Sequence, residues 1–138
     1  AMGHNHAVFI AGGTGVTPFS AFMDAAINRG ELPVSSAALY YGAQTPDVLI
    51  YRGLAERCAG VFEDFHTQCY AENLAGSASD TTLRSGRIDL DQIMAECGNP
   101  ARTAFYLSGP KPMIDAFQDA LTTKYGLTGE QVLIDAWE

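Results

Sequence analysis

The chain has 138 residues, enough for one domain with a sizeable core and too few for two. Apolar residues make up 47% and charged residues 17%, which excludes a disordered chain, and no apolar run approaches the roughly 20 residues that span a bilayer. Sixteen acidic against eight basic residues leave a net charge of -8, which argues against a nucleic-acid partner, since that surface needs a basic stripe.

In chain order, the start AMGH reads as an artificial edge of something longer, with His4 and His6 as tag or linker. Ala7–Ala11 is a short buried strand. It runs into Gly12-Gly13-Thr14-Gly15-Val16-Thr17-Pro18 and a helix over Pro18–Asn28, with Phe19, Phe22, Met23 and Ala26 on one face. Thr17 is expected to cap that helix, and Pro18 to take its first position, where the missing N–H costs nothing. Ala37–Tyr41 is the second strand, Pro46–Cys58 the second helix and Phe62–Tyr70 the third strand, with His66 a structural residue in it. The polar stretch Asn73–Gly86 reads as a mobile loop. Ile88–Glu96 is a short helix, Thr103–Ser108 the fourth strand, Pro110–Tyr125 a long helix and Gln131–Ile134 the last strand. Cys58, Cys69 and Cys97 are odd in number and widely spaced, without a CxxC pair. They read as reduced thiols in a cytoplasmic compartment, with neither a disulfide framework nor a metal site expected.

Strands alternating with helices imply an α/β, Rossmann-like parallel sheet covered on both faces. Ligands of such sheets bind beyond the carboxyl ends of the strands. Three of those ends carry Gly/Pro junctions: Gly12–Pro18, Gly42-Ala43-Gln44-Thr45-Pro46, and Ser108-Gly109-Pro110-Lys111-Pro112-Met113. The third strand ends in Ala71-Glu72-Asn73. Glycines let a pyrophosphate approach backbone amides, and a helix amino end adds a positive dipole. The ordinary dinucleotide fingerprint GxGxxG would need glycine where Pro18 stands, and no P-loop or GxSxG elbow is present.

GGTGVTP, YGAQTPDVLIYRGL and YLSGPKPMI, in that order, resemble the nicotinamide-nucleotide domain of the ferredoxin–NADP reductase superfamily over about Val8 to Trp137. With the alternation, this resemblance predicts five parallel strands in the order 3-2-1-4-5. It implies that residues 1–138 are one NAD(P)H-binding domain, and that a flavin-binding barrel holding FAD or FMN belongs to the same full-length protein. The whole would pass hydride from NAD(P)H to flavin, then electrons to an iron–sulfur, haem or other acceptor, in the cytoplasm or as the cytoplasmic part of a membrane-bound reductase. The isolated chain would be inactive. An alternative of another class stays open: a nucleotide-sensing or docking module without catalysis.

Carried over by position, Gly12, Gly13, Thr14 and Gly15 would meet the pyrophosphate, with Thr17 and Pro18 beside the nicotinamide ribose. Gly42 and Ala43 would lie along the nucleotide. Ser108, Gly109 and Pro110 would flank the nicotinamide, with Met113 behind. Ser108 stands where many members have cysteine, and Gln44 where arginine is frequent. Trp137 would cover the flavin ring, which makes Ser108 and Trp137 the candidates nearest the chemistry. NADPH-using relatives often place Ser-Arg after the third strand. Here Glu72 and Asn73 stand there instead, and Glu72 would repel a 2′-phosphate and accept a ribose hydroxyl. NADH is therefore the expected cofactor. NADPH would need Arg84 and Arg87, which follow the loop.

Overall fold

The computed structural model describes residues 5–74, 76 and 82–137, with the side chains of 135–137 excepted. Ten main elements follow in order: β1 (His6–Gly12), α1 (Thr17–Arg29), β2 (Ser36–Ala43), α2 (Arg52–Val61), β3 (Phe65–Ala71), β4 (Leu83–Ser85), α3 (Leu90–Glu96), β5 (Thr103–Pro110), α4 (Lys111–Asp119) and β6 (Val132–Trp137). The six strands form one parallel sheet in the order β4-β3-β2-β1-β5-β6. The five expected strands stand in their expected order. The sixth, β4, joins the edge beside β3, inside the stretch read as loop. The rest of that stretch is outside the described residues at 75 and 77–81.

Strand alternation sorts the core onto two faces. Phe9, Leu39 and Tyr41 point to α1 and α2 and pack with Phe19, Met23, Ala55 and Cys58. Val8, Ile10, Tyr40 and Phe105 point the other way, onto Leu90 and Ile93 of α3 and Ile114 of α4. Spacing of three and four residues puts Phe19, Phe22, Met23 and Ala26 on one side of α1, and Phe9 stacks on Phe19 at 4.8 Å and meets Phe22 edge-on at 4.7 Å. Each such side chain taken from water contributes about 1.5–3 kcal/mol. Gly30 ends α1 at φ 75°, its N–H donating to the carbonyls of Ala26 and Ile27.

Several boundaries differ from the sequence expectation for local reasons. The second helix splits into a 3-10 turn at Pro46–Val48 and α2 from Arg52, because the chain leaves helical geometry at Leu49. Phe62 terminates α2 instead of opening β3. The last helix runs α-helical over Lys111–Asp119 and then widens to π geometry at Ala120–Lys124. His6 is no loose linker: it begins β1, and its Nδ1 lies 2.7 Å from Ser36 Oγ on β2. His4 is outside the described residues.

Thr17 does not cap α1. The residue preceding the helix is Val16, with no side-chain cap bond. A 3-10 turn over Gly13–Val16 comes first, and the Thr17 hydroxyl closes it by donating to the Thr14 carbonyl at 3.0 Å. Pro18 therefore sits within the first turn of α1, not at its opening position.

Candidate functional site

The crossovers put α1 and α2 on one face and α3 and α4 on the other, so the chain reverses direction between β1 and β5. Such a switch point opens a crevice at the carboxyl ends of the strands. A cleft of about 620 Å³ lies there, within the range of about 300–1,000 Å³ usual for cofactor sites. Its floor is glycine. Gly12 of β1 and Gly42 of β2 share the face covered by α3 and α4, and both line the cleft. A Cβ on Gly12 would lie 2.9 Å from Met113 Sδ and 3.2 Å from Pro110 Cδ. One on Gly42 would lie 2.8 Å from Ile88 Cγ1.

The walls have different chemistry. Pro110, Pro112, Met113, Ala116 and Phe117, around the start of α4, make an apolar wall. Gly86, Arg87 and Ile88 make the opposite rim, and Ala43, Gln44, Thr45 and Val48 the segment between. At one end stands Gly13, at φ 58° and with nothing within 4 Å of where its Cβ would be. Its left-handed backbone and open space suit close approach of a ligand to the main chain. The first amides of a helix lack intrahelical partners, so the turn into α1 offers N–H groups to an anion.

Among the described residues, two charged side chains line the cleft, Glu72 and Arg87, and they meet. Arg87 Nε donates to Glu72 Oε1 at 3.2 Å, with Arg87 86% and Glu72 44% exposed. A pair this exposed contributes about 0–1 kcal/mol and can be exchanged by a ligand. Arg84 does not share the lining.

The residues singled out from sequence divide into three groups. Gly12, Gly13, Gly42, Ala43, Glu72, Pro110 and Met113 line the cleft. Thr14, Thr17 and Pro18 are exposed on the turn and do not line it. Gly15, Ser108 and Gly109 lie beneath the turn. A Cβ on Gly15 would fall 2.4 Å from the Ser108 carbonyl oxygen and 2.7 Å from Gly109 N. Glycine is thus required at 15 for packing against β5, whatever its backbone offers a ligand. Gly109, at φ 152°, lets β5 pass 3.1–3.2 Å from β1, measured from its would-be Cβ to Gly12 N and O. Ser108 is 1% exposed, and its Oγ has no hydrogen-bond partner among the described residues. A buried hydroxyl without a partner costs about 1–3 kcal/mol, which a bound polar group would relieve.

Asn73 abuts the cleft through its backbone, its N–H donating to the Gln44 carbonyl at 2.8 Å. Trp137 ends β6 in register with Pro110, and its side chain is outside the described residues. Sequence reasoning passed over Ile88, Ala116 and Phe117. The spacing Met113-Ala116-Phe117 carried a signal, since steps of three and four place all three on one helix face. The position of Ile88 carried none, because it depends on how β4 docks.

The glycine floor, the reversal point and the helix amino end are features that a dinucleotide crevice uses. Residues 9–119 match the family described as Oxidoreductase NAD-binding domain. The carnitine monooxygenase reductase subunit of Acinetobacter baumannii is 30% identical over 118 residues, covering 85% of this chain and 30% of that protein. The phenoxybenzoate dioxygenase subunit beta of Ectopseudomonas oleovorans is 32% identical over 115 residues, covering 83% and 30%. The chain therefore spans about a third of the length of these curated relatives. The cytochrome b5 reductase domain of Ulva prolifera nitrate reductase shares the fold with a TM-score of 0.78 at 24% identity, over 96% of this chain and 49% of that one. The chain belongs to the oxidoreductase NAD-binding domain family.

Proposed function

We propose that this chain is the pyridine-nucleotide half of a flavin-dependent reductase, holding NAD(P)H so that its nicotinamide faces a flavin carried by another domain of the same protein. The observation that carries this reading is the glycine-floored cleft at the reversal point, bounded by the Gly13 turn and α4. Gly13 and the first amides of the turn take the pyrophosphate, supported by the helix dipole. Gly12 and Gly42 keep the floor low, and Pro110 and Met113 form the apolar side. Ser108 is proposed for the nicotinamide end of the site, its unpartnered hydroxyl buried at the end of β5 beneath the turn. Gly15 and Gly109 hold the two strand ends together under that point. Trp137 is proposed for the flavin side of the site, on its place at the end of β6 beside Pro110.

When bound, NAD(P)H would supply a hydride and the FAD or FMN of the other domain a one-electron outlet. The chain's own part is positioning and exclusion of water, as expected where the cofactors carry the chemistry. The onward acceptor is an iron–sulfur, haem or other centre, in keeping with similarity to a monooxygenase reductase subunit and a dioxygenase subunit. A cytoplasmic site of action fits the reduced thiols. Among the described residues no helix is long and apolar enough to cross a membrane.

Glu72 sets NADH ahead of NADPH. It repels a 2′-phosphate, and it also occupies Arg87, the cation within reach. Glu72→Gln should release Arg87 and shift kcat/KM toward NADPH by about tenfold, the equivalent of 1.4 kcal/mol. The assay is steady-state reduction of an artificial acceptor by the full-length protein with each nucleotide. An unchanged ratio would remove Glu72 from the ribose site.

A further inference from the structure

The rim Gly86–Ile88 follows a strand too short to hold itself. β4 has three residues and pairs with β3 from Cys69↔Leu83 to Ala71↔Ser85. A short edge strand needs help from tertiary contacts. Leu83 anchors it on one face, buried in the core beside α2. Arg84 anchors it on the other. Its Nη2 lies 3.6 Å from Glu96 Oε2, and its Nη1 is buried. Glu96 is the last residue of α3, and it also accepts from Tyr40 Oη at 3.0 Å and Gln92 Nε2 at 3.3 Å.

One carboxylate thus joins β4, α3 and β2. The Tyr70 phenol, buried on β3 in register with Arg84, completes the surroundings. Burial pushes its pKa up and the Arg84 guanidinium opposes this, although the two groups do not reach hydrogen-bond geometry. Immediately after β4, Gly86 turns at φ 104° and its N–H donates to the Ala71 carbonyl at 2.8 Å. Ile88 then seats its side chain over Gly42. Whatever fixes β4 therefore fixes the wall facing the glycine floor.

We propose that Arg84 is a positioning residue for the cleft: by tying β4 to the carboxyl end of α3 it sets the Gly86–Ile88 rim, and it makes no contact with a bound phosphate. This rests on the cleft being the nucleotide site. The two arginines that sequence pairs as one clamp then have separate roles. Arg84 determines shape, and Arg87 determines charge at the ribose end. Removing Arg84 should weaken both nucleotides alike, whereas removing Arg87 should change their ratio.

The test uses the full-length protein with Arg84→Met, Arg84→Lys, Arg87→Met and Glu96→Gln. Dissociation constants for NADH and NADPH come from calorimetry, and amide exchange at Gly86–Ile88 from mass spectrometry. Arg84→Met should raise both constants by one common factor of about two- to fivefold, the scale of a lost, partly exposed charge contact. Arg84→Lys should recover part of that factor. Exchange at the rim should accelerate in Arg84→Met without nucleotide. Glu96→Gln keeps the Tyr40 bond and should move both readouts the same way by less, which serves if Arg84→Met fails to fold. Loss confined to NADPH would make Arg84 a phosphate ligand and overturn the proposal. A fall in Tm with both constants and rim exchange unchanged would also overturn it. If the wild type bound neither nucleotide, the reading of the site would fail, while rim exchange would still decide whether Arg84 holds the wall.

Discussion

Gly15→Ala separates a packing glycine from a ligand-facing one. The added Cβ would lie 2.4 Å from the Ser108 carbonyl oxygen, 2.6 Å from its carbon and 2.7 Å from Gly109 N. Ordinary contact begins at 3.4 Å, so the turn or β5 must retreat by about 1 Å. Neither moves easily. All three atoms are backbone, and β5 is held between β1 and β6 with Ala11↔Ser108↔Asp135 in register. Overpacking of this kind costs about 1–3 kcal/mol where side chains can yield, and here they cannot, so a loss of about 3 kcal/mol or more is expected. Gly13→Ala provides the comparison. It meets nothing within 4 Å and suffers only the left-handed backbone, which costs about 1–2 kcal/mol. Thermal unfolding of the full-length protein, followed on the transition of this domain, should show Gly15→Ala well below Gly13→Ala. A Gly15→Ala protein as stable as wild type, or more stable than Gly13→Ala, would refute the packing argument.

Gly42→Ala meets only the Ile88 side chain, which can swing, so KM for nucleotide should rise while Tm changes little; an unchanged KM would contradict Ile88 as the facing wall. Cys58 is fully buried and burial pushes its thiol up to about 11, so alkylation mapped by mass spectrometry in the native state should mark the half-buried Cys97 and spare Cys58; equal rates would refute this. A raised thiol pKa means that unfolding gains a thiolate at high pH. Its contribution is intact below about pH 9 and is lost as pH climbs toward 11, which alkaline unfolding with and without Cys58→Ala should show. Hydrogen bonds from Lys124 and Tyr125 hold the Asp91 carboxyl below its ordinary value, so its contribution is present above that value and lost as pH falls through the lowered one. Asp91 and Lys124 are exposed and Tyr125 is half-buried, so solvent screens the contribution and Asp91→Asn should lower Tm at neutral pH only slightly.

The five main strands were legible from their alternation with helices, and three of them also from the junctions that follow, at Gly12–Pro18, Gly42–Pro46 and Ser108–Met113. β4 was not. Leu83-Arg84-Ser85 is too short to show a period, and its pairing with β3 is decided by Leu83 and Arg84 contacts distant in sequence. The wall at Met113-Ala116-Phe117 could be read from helical spacing. The Glu72–Arg87 pair could not, since fifteen residues and a loop separate its members. Glycines posed the sharpest ambiguity. The string Gly12-Gly13-Thr14-Gly15 announces close approach, but not by what. Gly12 and Gly13 open toward the cleft, while Gly15 admits the backbone of β5. His6 shows the converse, a residue in an unpromising start that the fold uses to pair β1 with β2.

If the cleft holds NAD(P)H for hydride transfer to a flavin in the same protein, nucleotide must reduce that flavin. Anaerobic stopped-flow reduction of the full-length protein tests it most directly, with flavin absorbance read after mixing with NADH or with NADH deuterated at the transferring position. The account predicts bleaching that saturates with nucleotide and slows on deuteration. It also predicts that Gly13→Val, a β-branched residue at φ 58°, raises the half-saturating concentration while flavin content stays the same. A flavin that neither nucleotide bleaches, or bleaching indifferent to Gly13→Val, would contradict it.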